Sequence, residues 1–243
     1  MTDKGKNEKS NNNSITKGIK GWPESERPRE LLLEKGPEAV SDAGLVAILL
    51  RTGIKGKDAV TLSRELLQHF GGLKGLLSVD GEELKKIKGL GTAKAAQLLA
   101  ATEVAKRQLK EEVIKKTAIQ GPEDVIEYLS LSMADLKEEV FKVIYLNTAH
   151  IVIAIEDLFR GTVDQSAVYP RKIIKRALEL NASGLIFVHN HPSGDLKPSR
   201  HDLSLNRKLV QACLTIDLTP LDHLIIGPTG YVSLKDDGVS FNE

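Results

Sequence analysis

Residues 187–202 read FVHNHPSGDLKPSRHD, a stretch that is either a plain strand, turn and helix cap or the wall of a metal pocket. The run SGLIFVHNH (183–191) is nearly continuous in apolar residues, as expected of a strand covered on both faces. Pro192 stops its ladder, Ser193-Gly194-Asp195 supply a turn, and SRHDLSLNRKLVQACLTI (199–216) has the texture of a helix. Residues two apart on a strand project to one side, so His189 and His191 converge at the strand's end. Asp202 falls in the first turn of the following helix, from where it can point back at them. Two imidazoles and one carboxylate leave a tetrahedral position open for water, the arrangement of a catalytic zinc rather than a structural one. Each piece also has a purely structural reading. Ser199 and Asp202 fit S-x-x-D, close to a capping box, and a carboxylate there favours the helix dipole. A histidine at a strand end is ordinarily just a hydrogen-bonding residue. Their coincidence at one strand-to-helix junction favours the metal.

The flanking sequence supplies the rest of a sandwich. EVFKVIYLN and HIVIAIED read as a hairpin about Asn147-Thr148-Ala149. PRKIIKRALELNA is an amphipathic helix with Ile173, Ile174, Ala177 and Leu178 on one face. DHLIIGPTGYVSL gives two short strands about a Pro-Thr-Gly turn. The expectation is an α/β sandwich of five or six strands and two or three helices over 121–243, entered through the linker KKTAIQGPEDV and a helix over 123–131 opened by Pro122. No strand is needed before residue 115. Ser41 caps AGLVAILL, Asp58 caps a helix over 58–69 that Gly71-Gly72 ends, and further helices follow over 73–78, 80–86 and 92–110. A small all-helical domain over 21–117 results, preceded by a polar segment, 1–20, whose composition predicts disorder.

The 243 residues are 41% hydrophobic and 28% charged, enough apolar material for a core without disulfides. The single cysteine, Cys213, sits in an apolar helical stretch and excludes an intramolecular bridge, which suggests a reducing compartment. No apolar run approaches the ~20 residues that span a bilayer, and the start lacks the apolar segment of a secretory signal. The expected location is the cytoplasm. A formal net charge of +1 hides +6 over residues 1–120 and −5 over 121–243, as two modules with different partners would show. A polyanion is one candidate partner for the basic half; simple solubilisation explains the same charge.

Within that half, LKKIKGLGTAKAAQLLAATEVAKR (84–107) sets Gly89-Leu90-Gly91 between two helices. Amides at the start of the second helix would face an anion such as a phosphate, with Lys86, Lys88 and Lys94 around it and Leu90 anchoring the turn. The pattern resembles the helix-hairpin-helix motif of proteins that bind DNA without sequence preference. Such contacts hold the backbone and read no bases. A glycine-rich helix connection with a solvated lysine rim is the structural alternative.

His189-Asn190-His191-Pro192, with Ser199 and Asp202 in register, resembles the JAMM motif of JAB/MPN metalloproteases, whose fold is a cytidine-deaminase-like sandwich. HNHPSGD preceded by FRGTVDQSAVYPRKIIKRALELNASGLIFV looks like the bacterial RadC family, and RPRELLLEKGPEAVSDAGLVAILLRTG before the glycine turn is similar to that family's N-terminal region. The resemblance covers residues 22–235. It implies that His189, His191 and Asp202 bind one Zn2+, that Ser199 hydrogen-bonds the oxyanion of an amide or isopeptide hydrolysis, and that an upstream glutamate accepts the water's proton. Glu156 on the second hairpin strand is the candidate base, with Asp157 second, since neighbours along a strand face opposite sides. It also implies a protein or peptide substrate and a setting in DNA repair. Asn190 stands where the commonest JAMM pattern has Ser or Thr, which bears on peptidase activity. A non-catalytic DNA-bound adaptor with a relic pocket is the main rival. An HNH endonuclease spreads its residues over a ββα unit, and iron facial triads usually carry the carboxylate close after the first histidine. His223 reads as a packed or hydrogen-bonded strand residue, and His201 as pointing off the ligand face.

Overall fold

Side chains able to end a helix stand where the helical segments begin, and in the computed structural model, which describes residues 18–161 and 168–241, they do so. Helices α1 (Pro28–Lys35), α2 (Asp42–Leu50), α3 (Ala59–Phe70), α4 (Leu73–Ser78), α5 (Gly81–Lys86) and the first ten residues of α6 (Thr92–Lys115) belong to one compact unit, residues 1–101. Ser41 Oγ accepts from the Gly44 amide at 3.2 Å, and Asp58 and Asp80 accept from Thr61 and Glu83 at 2.8 Å. Each bond satisfies an amide that the first turn leaves without a partner. Gly71 closes α3 with φ +74, a conformation that only glycine adopts without strain. Val46, Leu50, Leu62, Leu66, Leu76, Leu84, Leu90 and Leu98 form the core of this unit.

The expected disorder over 1–20 lies mostly outside the described residues. Its last part does not follow the expectation: Ile19–Gly21 forms a 3-10 turn, and Ile19 and Trp22 pack against Ala43, Ala47, Ala59 and Val60. The apolar side chains of Ile19 and Trp22 give the chain a reason to order here that composition alone conceals.

Residues 102–243 form the second unit. Its sheet has the order β2-β1-β3-β4-β5, built from β1 (Val140–Leu146), β2 (Val152–Arg160), β3 (Gly184–Asn190), β4 (Thr219–Gly227) and β5 (Gly230–Ser233). Every pairing is antiparallel except β3 with β4, a parallel pair joined through helix α9 (Arg200–Leu214). One face buries Ile144, Leu146, Ile186, Val188, Leu224 and Ile226 under α7 (Glu123–Met133) and the end of α6. The other buries Phe141, Val143, Tyr145, Leu185 and Phe187 under α8 (Pro170–Glu179) and α9. Strand β3 is thus central and covered on both sides, which is why 183–191 reads as unbroken apolar sequence. Cys213 is buried in the second face, where burial pushes its thiol up to about 12.

Two boundaries differ from the sequence reading. Helix α6 runs to Lys115 rather than 110, because Leu109 and Val113 pack into the core of the sheet unit. The division between units accordingly falls inside α6, at Ala101/Thr102, ahead of the expected linker. On α8, Ile173 and Ala177 are buried but Leu178 is 60% exposed. The buried stripe is narrower than four apolar residues.

Candidate metal centre

The centre is assembled by three local devices. Strand β3 carries His189 on the α8/α9 face, paired with Phe141 of β1 and Ile225 of β4. Past the strand's end the His191 amide still donates to the Ile226 carbonyl at 2.8 Å, so the second histidine keeps the register of the first. Helix α9 then starts with a complete capping box: the Asp202 amide donates to Ser199 Oγ at 3.1 Å, and the Ser199 amide donates to Asp202 Oδ2 at 2.7 Å. The structural and functional readings of Ser199 and Asp202 therefore describe one arrangement, in which the cap aims the carboxylate at the histidines.

His189 Nε2 lies 3.0 Å from His191 Nε2, and Asp202 Oδ1 and Oδ2 lie 3.4 Å from the two nitrogens. Ligand atoms at about 2.0–2.1 Å from a tetrahedral zinc stand about 3.3 Å from one another, so this donor set is of a size that suits such an ion. His191 Nδ1 is 2.6 Å from the Asp195 carbonyl oxygen. A carbonyl only accepts, so Nδ1 holds the proton and the Nε2 lone pair faces inward. Two imidazole nitrogens at 3.0 Å have a proton or a cation between them. Asp202 raises the His191 pKa against the opposing effect of burial. Burial pushes the Asp202 carboxyl up, but His189, His191 and Ser199 together hold it far below the usual carboxylate range. The cluster could hold a metal ion, for which a proton would compete.

A cleft of about 280 Å³ opens onto the centre, lined by Glu139, His191, Asp195, Ser199, His201 and Asp202 among others. A neighbouring cleft of about 350 Å³ shares Glu139 and Ser193 with it. His201 borders the cleft without joining the cluster, and its Nε2 is buried with no hydrogen-bond partner in the protein. The helix's first turn is short enough that residue 201 still borders the cleft its neighbour 202 enters.

The structure does not bring Glu156 to this cleft. Arg176 of α8 grips the Glu156 carboxylate, with Nε 3.0 and 3.1 Å from its oxygens and Nη2 at 2.7 Å. Glu156 pairs with Val143, which pairs with Phe187. It shares the face of His189, yet two strands and two residues away, about 12 Å by strand geometry. Asp157 points to the other face, held by Lys142 and Arg160. Besides Asp202 and Asp195, the cleft is lined by Glu139, immediately before β1. The antiparallel register that opposes Phe141 to His189 brings residue 139 across from His191. Asn190, whose side chain faces away from the histidines, fastens this segment: its Oδ1 accepts from the Val140 amide at 2.7 Å, and its Nδ2 donates to the Glu138 carbonyl at 3.1 Å. Sequence reading could not find Glu139, because a pairing across fifty residues leaves no local pattern.

In the helical unit, Gly89 has φ +100, and a Cβ there would stand 2.8 Å from Ile54 Cγ2. Leu90 is buried beneath it, as a turn anchor should be. Lys86 and Lys88 are exposed. Lys94 instead reaches back within its own unit, its Nζ 2.9 Å from the Gly53 carbonyl and 3.4 Å from that of Gly89. It braces the turn. Gly91 is exposed, with nothing within 4 Å of where a Cβ would lie.

A mixed five-stranded sheet with two histidines and an aspartate at the end of its central strand, behind an all-helical region, defines a JAB-type domain. Residues 119–239 match the RadC-like JAB domain family, and residues 19–96 match the UPF0758 N-terminal family. A UPF0758 protein of Polaromonas sp. strain JS666 is 47% identical over 221 residues, 91% of this chain and 99% of its own length. A UPF0758 protein of Nitrosomonas eutropha is 49% identical over the same extent. The chain belongs to the RadC (UPF0758) family. Among the described residues no helix is long and apolar enough to cross a membrane.

Proposed function

We propose that this protein is a zinc-dependent hydrolase of amide or isopeptide bonds, acting on a protein or peptide substrate in the cytoplasm and docked on DNA through its helical unit. The observation that carries the catalytic reading is the convergence of His189, His191 and Asp202 beside a cleft that Glu139 and Ser199 also line. An ion held by the three ligands would supply water acidified to a pKa of about 7. In this reading Glu139, which lines the same cleft, takes up the proton of that water and passes it to the leaving nitrogen. Ser199 Oγ accepts from the Asp202 amide, which leaves its own proton to donate to the oxyanion of the tetrahedral intermediate. Glu156 does not serve as the base in this reading, because Arg176 already satisfies it.

Zinc-reconstituted protein incubated with a mixture of peptide amides and lysine isopeptides, followed by mass spectrometry, tests the proposal. Cleavage that a chelator abolishes and added zinc restores is expected. Zinc bound at one equivalent with no cleavage of any member would leave the DNA-bound adaptor as the better reading.

The DNA part rests on the glycine turn. With Gly91 exposed at the start of α6 and Lys86 and Lys88 exposed before the turn, a phosphate could approach the helix's first amides. Duplexes of unrelated sequence should bind the full chain equally, and affinity should fall steeply with salt, by anisotropy of a labelled oligonucleotide. Lys86→Glu with Lys88→Glu should weaken binding and flatten the salt dependence. Lys94→Glu should act by destabilising the turn, with its effect visible first in thermal unfolding. A salt-independent affinity would remove the DNA reading. A setting in DNA repair follows from the family resemblance and from docking of this kind.

A further inference from the structure

We infer that His223 and Asn206 are positioning residues that lock His189 into the tautomer with its proton on Nδ1 and so keep the Nε2 lone pair aimed into the metal centre. The inference rests on the metal-site reading above and deepens it. Three elements contribute one side chain each to a single line of hydrogen bonds. Asn206 Oδ1, from the middle of α9, is 3.2 Å from His223 Nδ1 on β4. His223 Nε2 is 2.8 Å from His189 Nδ1 on β3. The line ends at His189 Nε2, the atom that faces His191 and Asp202. Asn206 and His223 are fully buried, and His189 is 3% exposed.

The direction of the protons follows from the chemistry of the far end. An amide oxygen only accepts, so His223 carries its proton on Nδ1. The neutral ring then presents an unshared pair at Nε2, which can only accept, and His189 must donate to it from Nδ1. A neutral His189 with its proton there has none on Nε2. The opposite direction would place a proton on Nε2, inside the cluster and in the way of an ion. His191 reaches the same state by a different route, through the Asp195 carbonyl. Both histidines are therefore held in the form that binds a metal, which outer partners of ligand histidines commonly secure.

The rings have little freedom to leave this line. His189 stacks parallel to Phe141 with centroids 6.4 Å apart, while Phe141 and Phe187 meet His223 edge-on at 5.7 and 5.9 Å. A pocket made of Phe141 and Phe187 would accept an apolar side chain at position 223 on packing grounds alone. What an apolar residue lacks is the acceptor opposite His189 Nδ1. That contrast separates a positioning role from a packing role.

Two measurements test it. Nitrogen-15 spectra of the metal-free protein report the tautomer of each ring and need no variant; His189 is expected as the Nδ1–H form, and an Nε2–H form would overturn the inference. Zinc affinity by competition with a chromophoric chelator is the second. His223→Leu should lower it about 10–100-fold, as loss of an outer partner of a ligand histidine does. His223→Gln, whose amide oxygen can stand near the lost Nε2, should recover most of that loss. A packing role predicts the reverse order, with leucine equal to or better than glutamine. Leucine binding zinc as tightly as the wild type would likewise end the inference. Should the wild type take up no zinc, the metal reading falls, and the His189 tautomer alone decides this one.

Discussion

Asp202→Asn is expected to lower zinc affinity roughly 10²–10³-fold, since four-ligand sites bind with about 10–16 kcal/mol in total, or about 2.5–4 kcal/mol per ligand. The substitution is chosen because Asp202 has two tasks that it separates. As third residue of α9 it accepts the Ser199 amide through Oδ2, and an asparagine oxygen can still do that. As the anion facing His189 and His191 it provides the only carboxylate among the three clustered ligand atoms, and asparagine cannot replace its charge. Helix content and the melting transition of the metal-free variant should therefore stay close to wild type while zinc uptake by chelator competition collapses. Asp202→Ala would lose both tasks and confound them. Wild-type zinc affinity in Asp202→Asn would show that Asp202 serves the helix cap and contributes nothing to zinc binding.

The cluster that could hold a metal was legible in sequence because its members are local. His189 and His191 share one strand, Asp202 follows within a single turn and helix cap, and the periodicities of strand and helix suffice to converge them. The sandwich was legible for a related reason: a central strand covered on both faces announces itself as an apolar run. What was hidden depends on pairings between distant segments. Glu139 precedes the first hairpin strand and Glu156 lies within the second, each beside apolar residues, and nothing within either run says which one meets His191. Only the β1–β3 register does, and it is set by side chains from both halves of the domain. The same holds for Lys94, which looks like its neighbours Lys86 and Lys88 in a basic stretch. Its reach to the Gly53 carbonyl depends on a loop forty-one residues away. His223 is a third case: its reading as a packed or hydrogen-bonded strand residue holds, but only the fold shows that its partner is His189.

Glu139→Gln should reduce hydrolysis about 10²–10⁴-fold, the usual contribution of a general base, while leaving zinc bound at wild-type affinity. Glu139 is not among the three clustered ligand atoms, so the ion has no reason to leave. Its place at the junction of the two clefts is where a substrate lying across the strand ends would pass. Asn190 gives that place rigidity, since its amide bonds the backbone on both sides of residue 139 and is itself fully buried. The departure from the Ser or Thr common between JAMM histidines thus has a structural use here. It ties the segment that carries Glu139 to the strand that carries His189, which a hydroxyl could not do with both a donor and an acceptor of amide geometry. The matched control is Glu156→Gln. It breaks the ion pair with Arg176 on a partly exposed surface, where such a pair contributes little, and turnover should stay within a few-fold of wild type. Steady-state rates of both variants at equal zinc occupancy settle the assignment. Loss of turnover in Glu156→Gln with full activity in Glu139→Gln would return the role of base to the edge strand, and would require the Arg176 clamp to open during the reaction.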